Sequence, residues 1–189
     1  MKAVGTQCDA FVPLLGAGLR PAAPYSLHIW TLKPLQEPCL HRAEPGVADV
    51  VTCPSCGKKN RVPGAATGVP RCGSCHAPVP WLTSAGEEDF DAVAVASPLP
   101  VLVDLWATWC GPCRMVAPGV ENAARALAGR MKVVKVDVDH APGVSARFDV
   151  KSVPTLLVLD KGKVVARQVG ALPPERLLRW AEAAVAQAA

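Results

Sequence analysis

Six of the eight cysteines fall into three Cys-x-x-Cys pairs, Cys53/Cys56, Cys72/Cys75 and Cys110/Cys113. That spacing serves two kinds of chemistry: paired thiolates that grip a metal ion, or paired thiols that exchange with a disulfide. The first two pairs are separated by the fifteen residues 57–71, so together they can close a tetrahedral four-thiolate site. A closed site leaves no position for substrate, which makes its ion structural, a source of folding energy for a short segment. One zinc ion, held by Cys53, Cys56, Cys72 and Cys75, is the expected occupant; a pair of disulfides or an iron centre are the alternatives. His76 follows Cys75 directly, but four cysteines already complete the coordination, so it is expected at the surface. Cys8 and Cys39 have no partner spacing and are expected to bind nothing.

The third pair stands in a different setting. Val101-Leu102-Val103-Asp104-Leu105-Trp106 is a near-continuous apolar run, the pattern of a strand buried on both faces, and a helix is predicted over 112–127. Trp109-Cys110-Gly111-Pro112-Cys113 therefore lies where a strand gives way to a helix. Free N–H groups and the macrodipole at a helix N-terminus favour an anion, so Cys110 is suited to the thiolate state. Cys113 is about one turn further on, within reach of the first sulfur. Cys110 can then attack a substrate disulfide and Cys113 can resolve the mixed disulfide. Pro112 fits the first helical turn, where its missing N–H costs nothing. Asp104 is the one acid in the apolar strand; desolvation there raises a carboxyl pKa toward the range of a proton acceptor near neutrality. An exposed strand edge is the alternative for Asp104. Trp106 and Trp109 flank the pair and are expected to pack around it.

The elements that must position these residues follow from pattern. Ser84-Ala85-Gly86-Glu87 has the form of a capping box and predicts a helix through about residue 96, with Phe90 and Val93 on one face. Strands are predicted over 132–136, 155–159 and 163–169, with a turn at Lys161-Gly162 between the last two. A short helix is predicted over 142–148. A final helix follows Pro173-Pro174, with Leu177, Ala181, Ala184 and Val185 as its apolar face. A βαβ unit, a hairpin and a helix make a small α/β sandwich with a mixed sheet.

The rest of the chain sets bounds. Half of the 189 residues are hydrophobic, enough for a buried core, and a net charge of +4 demands neither nucleic acid nor a membrane as partner. No window approaches the ~18 unbroken apolar residues of a membrane span. Residues 1–46 carry scattered prolines and no period, which predicts a disordered leader, or a mis-called start with translation beginning near Val47 or Val50. An apolar patch at 11–19 is interrupted by Pro13 and Gly16 and follows Asp9, flanks that argue against a secretory signal. Residues 47–79 are read as a zinc ribbon and 80–189 as the catalytic domain. Lys58, Lys59, Arg61 and Arg71 make the ribbon basic, but without an aromatic platform they are read as a solvated face.

The run VLVDLWATWCGPCR (101–114) resembles the active-site strand and helix of the thioredoxin family, and the likeness covers about 80–189. It implies the thioredoxin fold, a central mixed sheet flanked by helices, here with a small N-terminal zinc ribbon. By this resemblance Cys110 is the nucleophile, Cys113 the resolving cysteine and Asp104 the buried carboxylate that exchanges a proton with it. Lys135 aligns with the family lysine near that aspartate, an ordinary solvated strand residue being the alternative. Val153-Pro154-Thr155 matches the family's cis-proline loop, whose backbone at Val153 pairs with an extended substrate. Pro118 matches the proline inside the active-site helix, and Gly162 and Gly170 match family glycines. Trp109, Gly111, Pro112, Val153, Pro154 and Gly170 are the implied docking residues. The ribbon sequence CPSCGKKNRVP, fused to WCGPC, is similar to the thioredoxin 2 group of bacterial thioredoxins.

The resemblance implies a cytoplasmic, monomeric protein-disulfide reductase that uses no organic cofactor of its own. Its expected partners are a thioredoxin reductase drawing on NADPH and disulfide-containing proteins, with no membrane and no nucleic acid. The Gly-Pro dipeptide between the cysteines resembles that of reducing members. A different class of function is also open: a redox-sensing or partner-binding module in which the ribbon is the functional element and the larger domain a scaffold.

Overall fold

The apolar run that ends beside Cys110 lies at the centre of the molecule. A computed structural model describes residues 48–188, all within one unit of the chain, Leu40–Ala189; segment 1–46, with the leader expectation and Cys8 and Cys39, lies outside the described residues. The elements in order are β1 (Asp49–Thr52), β2 (Lys59–Val62), β3 (Leu82–Ser84), a wide-turned helix (Asp91–Val95), β4 (Val101–Trp106), α1 (Gly111–Ala126), β5 (Lys132–Asp137), α2 (Pro142–Arg147), β6 (Thr155–Asp160), β7 (Lys163–Val169) and α3 (Pro174–Ala188). β1 and β2 form an antiparallel hairpin; the other strands form one sheet in the order β3-β5-β4-β6-β7. The β3, β5 and β4 strands run parallel, while β6 and β7 are antiparallel to their neighbours.

Period two along β4 divides the core. Val101, Val103 and Leu105 face the wide-turned helix and α2, packing with Phe90, Val93, Val144 and Phe148. Leu102 faces α1 and α3, packing with Val116, Val120, Leu127, Leu177 and Ala181. Both faces are covered, which is why the run reads as continuously apolar. Alternation also puts Asp104 on the Leu102 side, the side that α1 covers. Gly119 makes the crossing of α1 and α3 close: a Cβ there would lie 3.1 Å from the Pro174 Cα. The β6–β7 turn uses Lys161 (φ 49°) and Gly162 (φ 76°), two left-handed residues that suit a two-residue hairpin loop.

One predicted element is placed differently. Ser84 does not cap a helix; it ends β3, paired with Lys135 of β5. The Asp89 carboxylate takes the Gly86 N–H at 2.7 Å, Glu87 reaches the Gly143 N–H at 2.9 Å, and the regular turns begin only near Phe90. The helix that follows is wide, with the Ala96 N–H donating to Asp91 five residues back. Among the described residues no helix is long and apolar enough to cross a membrane.

Candidate active site and metal centre

Strand β4 ends at Trp106, and the chain turns through Ala107 to Cys110, whose N–H donates to the Ala107 carbonyl at 3.2 Å. Cys110 is the N-cap of α1: its backbone is extended, and its sulfur accepts the Cys113 N–H at 3.1 Å. The N-terminal N–H left free by the helix is thus aimed at the first sulfur. Cys110 and Cys113 are joined in a disulfide, with Cα atoms 5.3 Å apart. Pro112 sits in the first turn and Pro118 lies inside the helix, both as expected. Gly111 opens the helix at the surface, with nothing within 4 Å of where a Cβ would stand. The two sulfurs pack with Ala107, Trp106, Val138 and Val153.

Asp104 is buried, and desolvation pushes its carboxyl up to about 6, with the Lys135 ammonium pulling in the opposite direction. Lys135 is its register partner on β5 and lies 5.0 Å from the centre of the Trp106 ring. Both fall on the α1 side of the sheet, toward the strand ends that carry the cysteines. A carboxyl with a pKa near 6, rather than near 4, is matched to exchanging protons around neutrality.

The opposite wall of the site is the Val153–Pro154 loop. That peptide bond is cis, Pro154 is buried, and its carbonyl accepts the Gly170 N–H at 2.9 Å. Gly170 has φ 87° and open space where a Cβ would be, so it offers bare backbone beside the loop. Trp109 is 66% exposed, an unusual state for so large an apolar ring, and its indole N–H donates to Asp139 at 2.9 Å. The Asp139 contact had no sequence signal, since it joins residues thirty apart. Trp109, Val138, Pro142, Val150 and Val153 line a shallow depression of about 260 Å³ beside the disulfide. The structure thus brings Cys110, Cys113, Trp109, Val153, Pro154 and Gly170 together around one surface, with Asp104 and Lys135 beneath.

The second cluster lies in the N-terminal hairpin region. Two knuckles repeat one geometry: Cys53 accepts the Gly57 N–H and Cys72 accepts the His76 N–H, each four residues on. Gly57 and His76 both take left-handed φ values, 72° and 59°, and His76 is exposed. All four sulfurs lie within 4.8 Å of one another, with Cys53–Cys75 and Cys56–Cys72 at 3.6 Å. Disulfide sulfurs lie about 2.05 Å apart. Thiolate bonds of about 2.3 Å to a tetrahedral ion set the sulfurs about 3.8 Å apart, close to what is seen. The thiols also show the strain of crowding. The Cys75 and Ser74 N–H groups pull Cys72 down to about 6; the Lys58 N–H pulls on Cys56, but the surrounding sulfurs push it up to about 12. Four cysteine sulfurs converging this closely, too far apart for disulfides, are spaced as ligands of one cation. The donor set fits a metal ion.

A sequence model of the thioredoxin family matches residues 82–183. A thioredoxin from Haemophilus influenzae is 50% identical over 94 residues, 50% of this chain and 88% of the relative. Thioredoxin C-3 from Corynebacterium nephridii is 42% identical over 134 residues, 69% of this chain and 92% of the relative. That matched length exceeds the whole stretch from Leu82 to the C-terminus, so it takes in part of the cysteine-rich region. A thioredoxin from Rhodospirillum rubrum is 43% identical over 86 residues, 46% of this chain and 83% of the relative.

Proposed function

This chain belongs to the thioredoxin family, and from that premise we propose how its residues divide the work of a protein-disulfide reductase. It is a thiol–disulfide oxidoreductase whose redox centre is Cys110–Cys113. The observation that carries the reading is the placement of the Cys110 sulfur as the cap of α1, accepting a backbone N–H. In the reduced protein the Cys110 thiolate attacks one sulfur of a substrate disulfide. The substrate's other sulfur leaves as a thiolate and takes a proton, and a mixed disulfide remains. Asp104 then takes the Cys113 proton, and the Cys113 thiolate attacks the Cys110 sulfur. The second substrate sulfur is released, and the Cys110–Cys113 disulfide closes with two electrons transferred. The exposed Trp109 ring and the Val153–Pro154 loop hold the substrate backbone across the sulfurs, with Gly170 giving clearance.

The oxidised pair is re-reduced by a thioredoxin reductase supplied by NADPH. The four-cysteine cluster holds one zinc ion, whose role is to fold the ribbon, and the length of the Thioredoxin C-3 match supports assignment to the thioredoxin 2 group. Zinc-bound thiolates and a redox pair kept reduced suit the reducing cytoplasm, where the chain acts as a monomer. The test is NADPH oxidation coupled through thioredoxin reductase to insulin disulfide reduction, with zinc quantified on the same sample. Cys110→Ser is expected to abolish turnover. Cys113→Ser is expected to accumulate mixed disulfides with substrate. Turnover surviving in both variants would overturn the reading.

A further inference from the structure

The cysteine cluster is held by a side chain that is not a ligand. Asn60 lies on β2, four residues after Cys56, half-buried and paired in register with Val51. Its amide spans both knuckles. Nδ2 donates to the Lys58 carbonyl at 2.9 Å, within the first knuckle. The same nitrogen lies 3.6 Å from the Cys72 sulfur, and Oδ1 accepts the Gly73 N–H at 3.0 Å, both in the second knuckle. The amide's orientation is not arbitrary. Gly73 N–H can only donate and the Lys58 carbonyl can only accept, so a flipped amide would set donor against donor and acceptor against acceptor. With the oxygen fixed on Gly73, the nitrogen must face sulfur.

The sulfurs differ in surroundings in a way that gives this contact weight. Cys53 and Cys72 are buried, whereas Cys56 and Cys75 are exposed. Cys72 also receives the Ser74 N–H at 3.4 Å. A thiolate that accepts hydrogen bonds shares its charge with them, which keeps a crowded anionic site intact and fixes the direction of its lone pairs. The two knuckles come from sequence segments joined by a long loop, and Asn60 is a polar cross-tie between them beside the metal.

We propose that Asn60 is the positioning residue of the metal centre, an amide clamp that locks the two knuckles together and donates to the Cys72 thiolate. The inference rests on the zinc reading given above. The amide's oxygen contact and its nitrogen contacts, to the Lys58 carbonyl and the Cys72 sulfur together, are separable. Asn60→Asp keeps an oxygen for the Gly73 N–H but replaces the donor facing sulfur with a second, anionic oxygen. Asn60→Ala removes both.

The experiment uses the full chain loaded with Zn(II), or with Co(II) as a spectroscopic probe. The rate of zinc transfer to a chromophoric chelator and the thiolate-to-Co(II) charge-transfer band are recorded for wild type, both Asn60 variants and Lys59→Ala, an exposed neighbour. Loss of a group that orients a ligand from outside the coordination sphere costs about 10–100-fold in metal affinity. Zinc release is accordingly expected to accelerate at least tenfold in Asn60→Ala, and at least as much in Asn60→Asp. The Co(II) band should move to lower energy in both, because the sulfur lone pairs lose their donor, while Lys59→Ala matches wild type. Rescue of rate and band by Asn60→Asp would show that only the Gly73 contact matters and overturn the clamp on sulfur. Wild-type release rates in both variants would overturn the proposal while leaving the metal site intact. Wild-type protein that takes up no Co(II) or Zn(II) at one equivalent would overturn the metal reading, and this inference with it.

Discussion

Asp104 shows how one residue can cost stability and serve chemistry. Its carboxyl is raised from 3.8 to about 6 because burial disfavours the charge and Lys135 only partly offsets it. A raised carboxyl pKa means that the folded state holds a proton that the unfolded state has lost between those values, so stability falls as pH rises through that window. At pH 7 the full cost is present, up to about 3 kcal/mol by the usual conversion. Asp104→Ala should therefore be more stable than wild type at pH 7 in urea denaturation, and the gap should close between pH 6 and pH 4. The same variant should slow resolution of the mixed disulfide near neutrality, since the Cys113 proton loses its acceptor. Equal stability of the two proteins at pH 7 would mean that Asp104 is not desolvated in solution. The sequence shows this residue clearly, as one acid in a run of apolar residues. Asn60 and Asp139 were not legible in the same way. Each is a common surface residue type, and its role depends on partners brought close only by folding, Gly73 and Cys72 for one and Trp109 for the other.

At the scale of elements, Lys132 marks where the strand pattern gives the element's start and says nothing of where its first side chain goes. β5 begins at Lys132 as predicted, yet its side chain is fully buried instead of snorkelling to solvent. Its ammonium donates to the carbonyls of Gly64 at 2.5 Å and of Val93, and lies 4.3 Å from the centre of the Trp81 ring. These partners do not fully offset desolvation, which lowers the ammonium to about 8, with Asp89 pulling the other way. Between about pH 8 and its ordinary value the folded state has shed a proton that the unfolded state keeps, so stability rises with pH there. The expected rise from pH 7.5 to pH 10, relative to Lys132→Met, is about 1–2 kcal/mol after allowance for screening. Parallel pH curves for the two proteins would remove Lys132 as the cause. The long elements were legible because period and length agree: β4 as an apolar run, α1 and α3 as amphipathic repeats, β6–β7 from Lys161-Gly162. β3 was missed because three residues carry no period, and Ser84, at its end, satisfied a helix-start pattern. The local motif was present, but pairing with Lys135 in the sheet outweighed it.

For the whole molecule the question is whether a metal bound by the four-cysteine cluster would hold up only the ribbon or the catalytic sheet as well. The ribbon has little core of its own: Val62 and Val79 pack with Cys53 and Cys72 and are closed off by Trp81 of the catalytic half, so two of the five buried members belong to the four-cysteine cluster. Its grip on the rest runs through a few contacts. The Trp81 indole N–H donates to Pro63 at 3.0 Å, Lys132 holds Gly64, and Pro78 lies against Gly129, where an added Cβ would come within 2.9 Å. The catalytic half, by contrast, has both sheet faces covered by its own helices. Stability divided in this way predicts two cooperative units. Stripping the metal with a strong chelator under reducing conditions should abolish hydrogen-exchange protection across β1, β2 and both knuckles. Protection should also weaken at the Val133 amide, which donates to the Trp81 carbonyl, while β4, α1 and β6 keep theirs. Insulin reduction should persist in the stripped protein, because Cys110, Cys113 and Asp104 stand on elements the ribbon does not build. Simultaneous loss of protection in β4 and the ribbon would show instead that Trp81 and Lys132 weld the two halves into one unit, and the metal would then be as necessary to the active site as the strand beneath it.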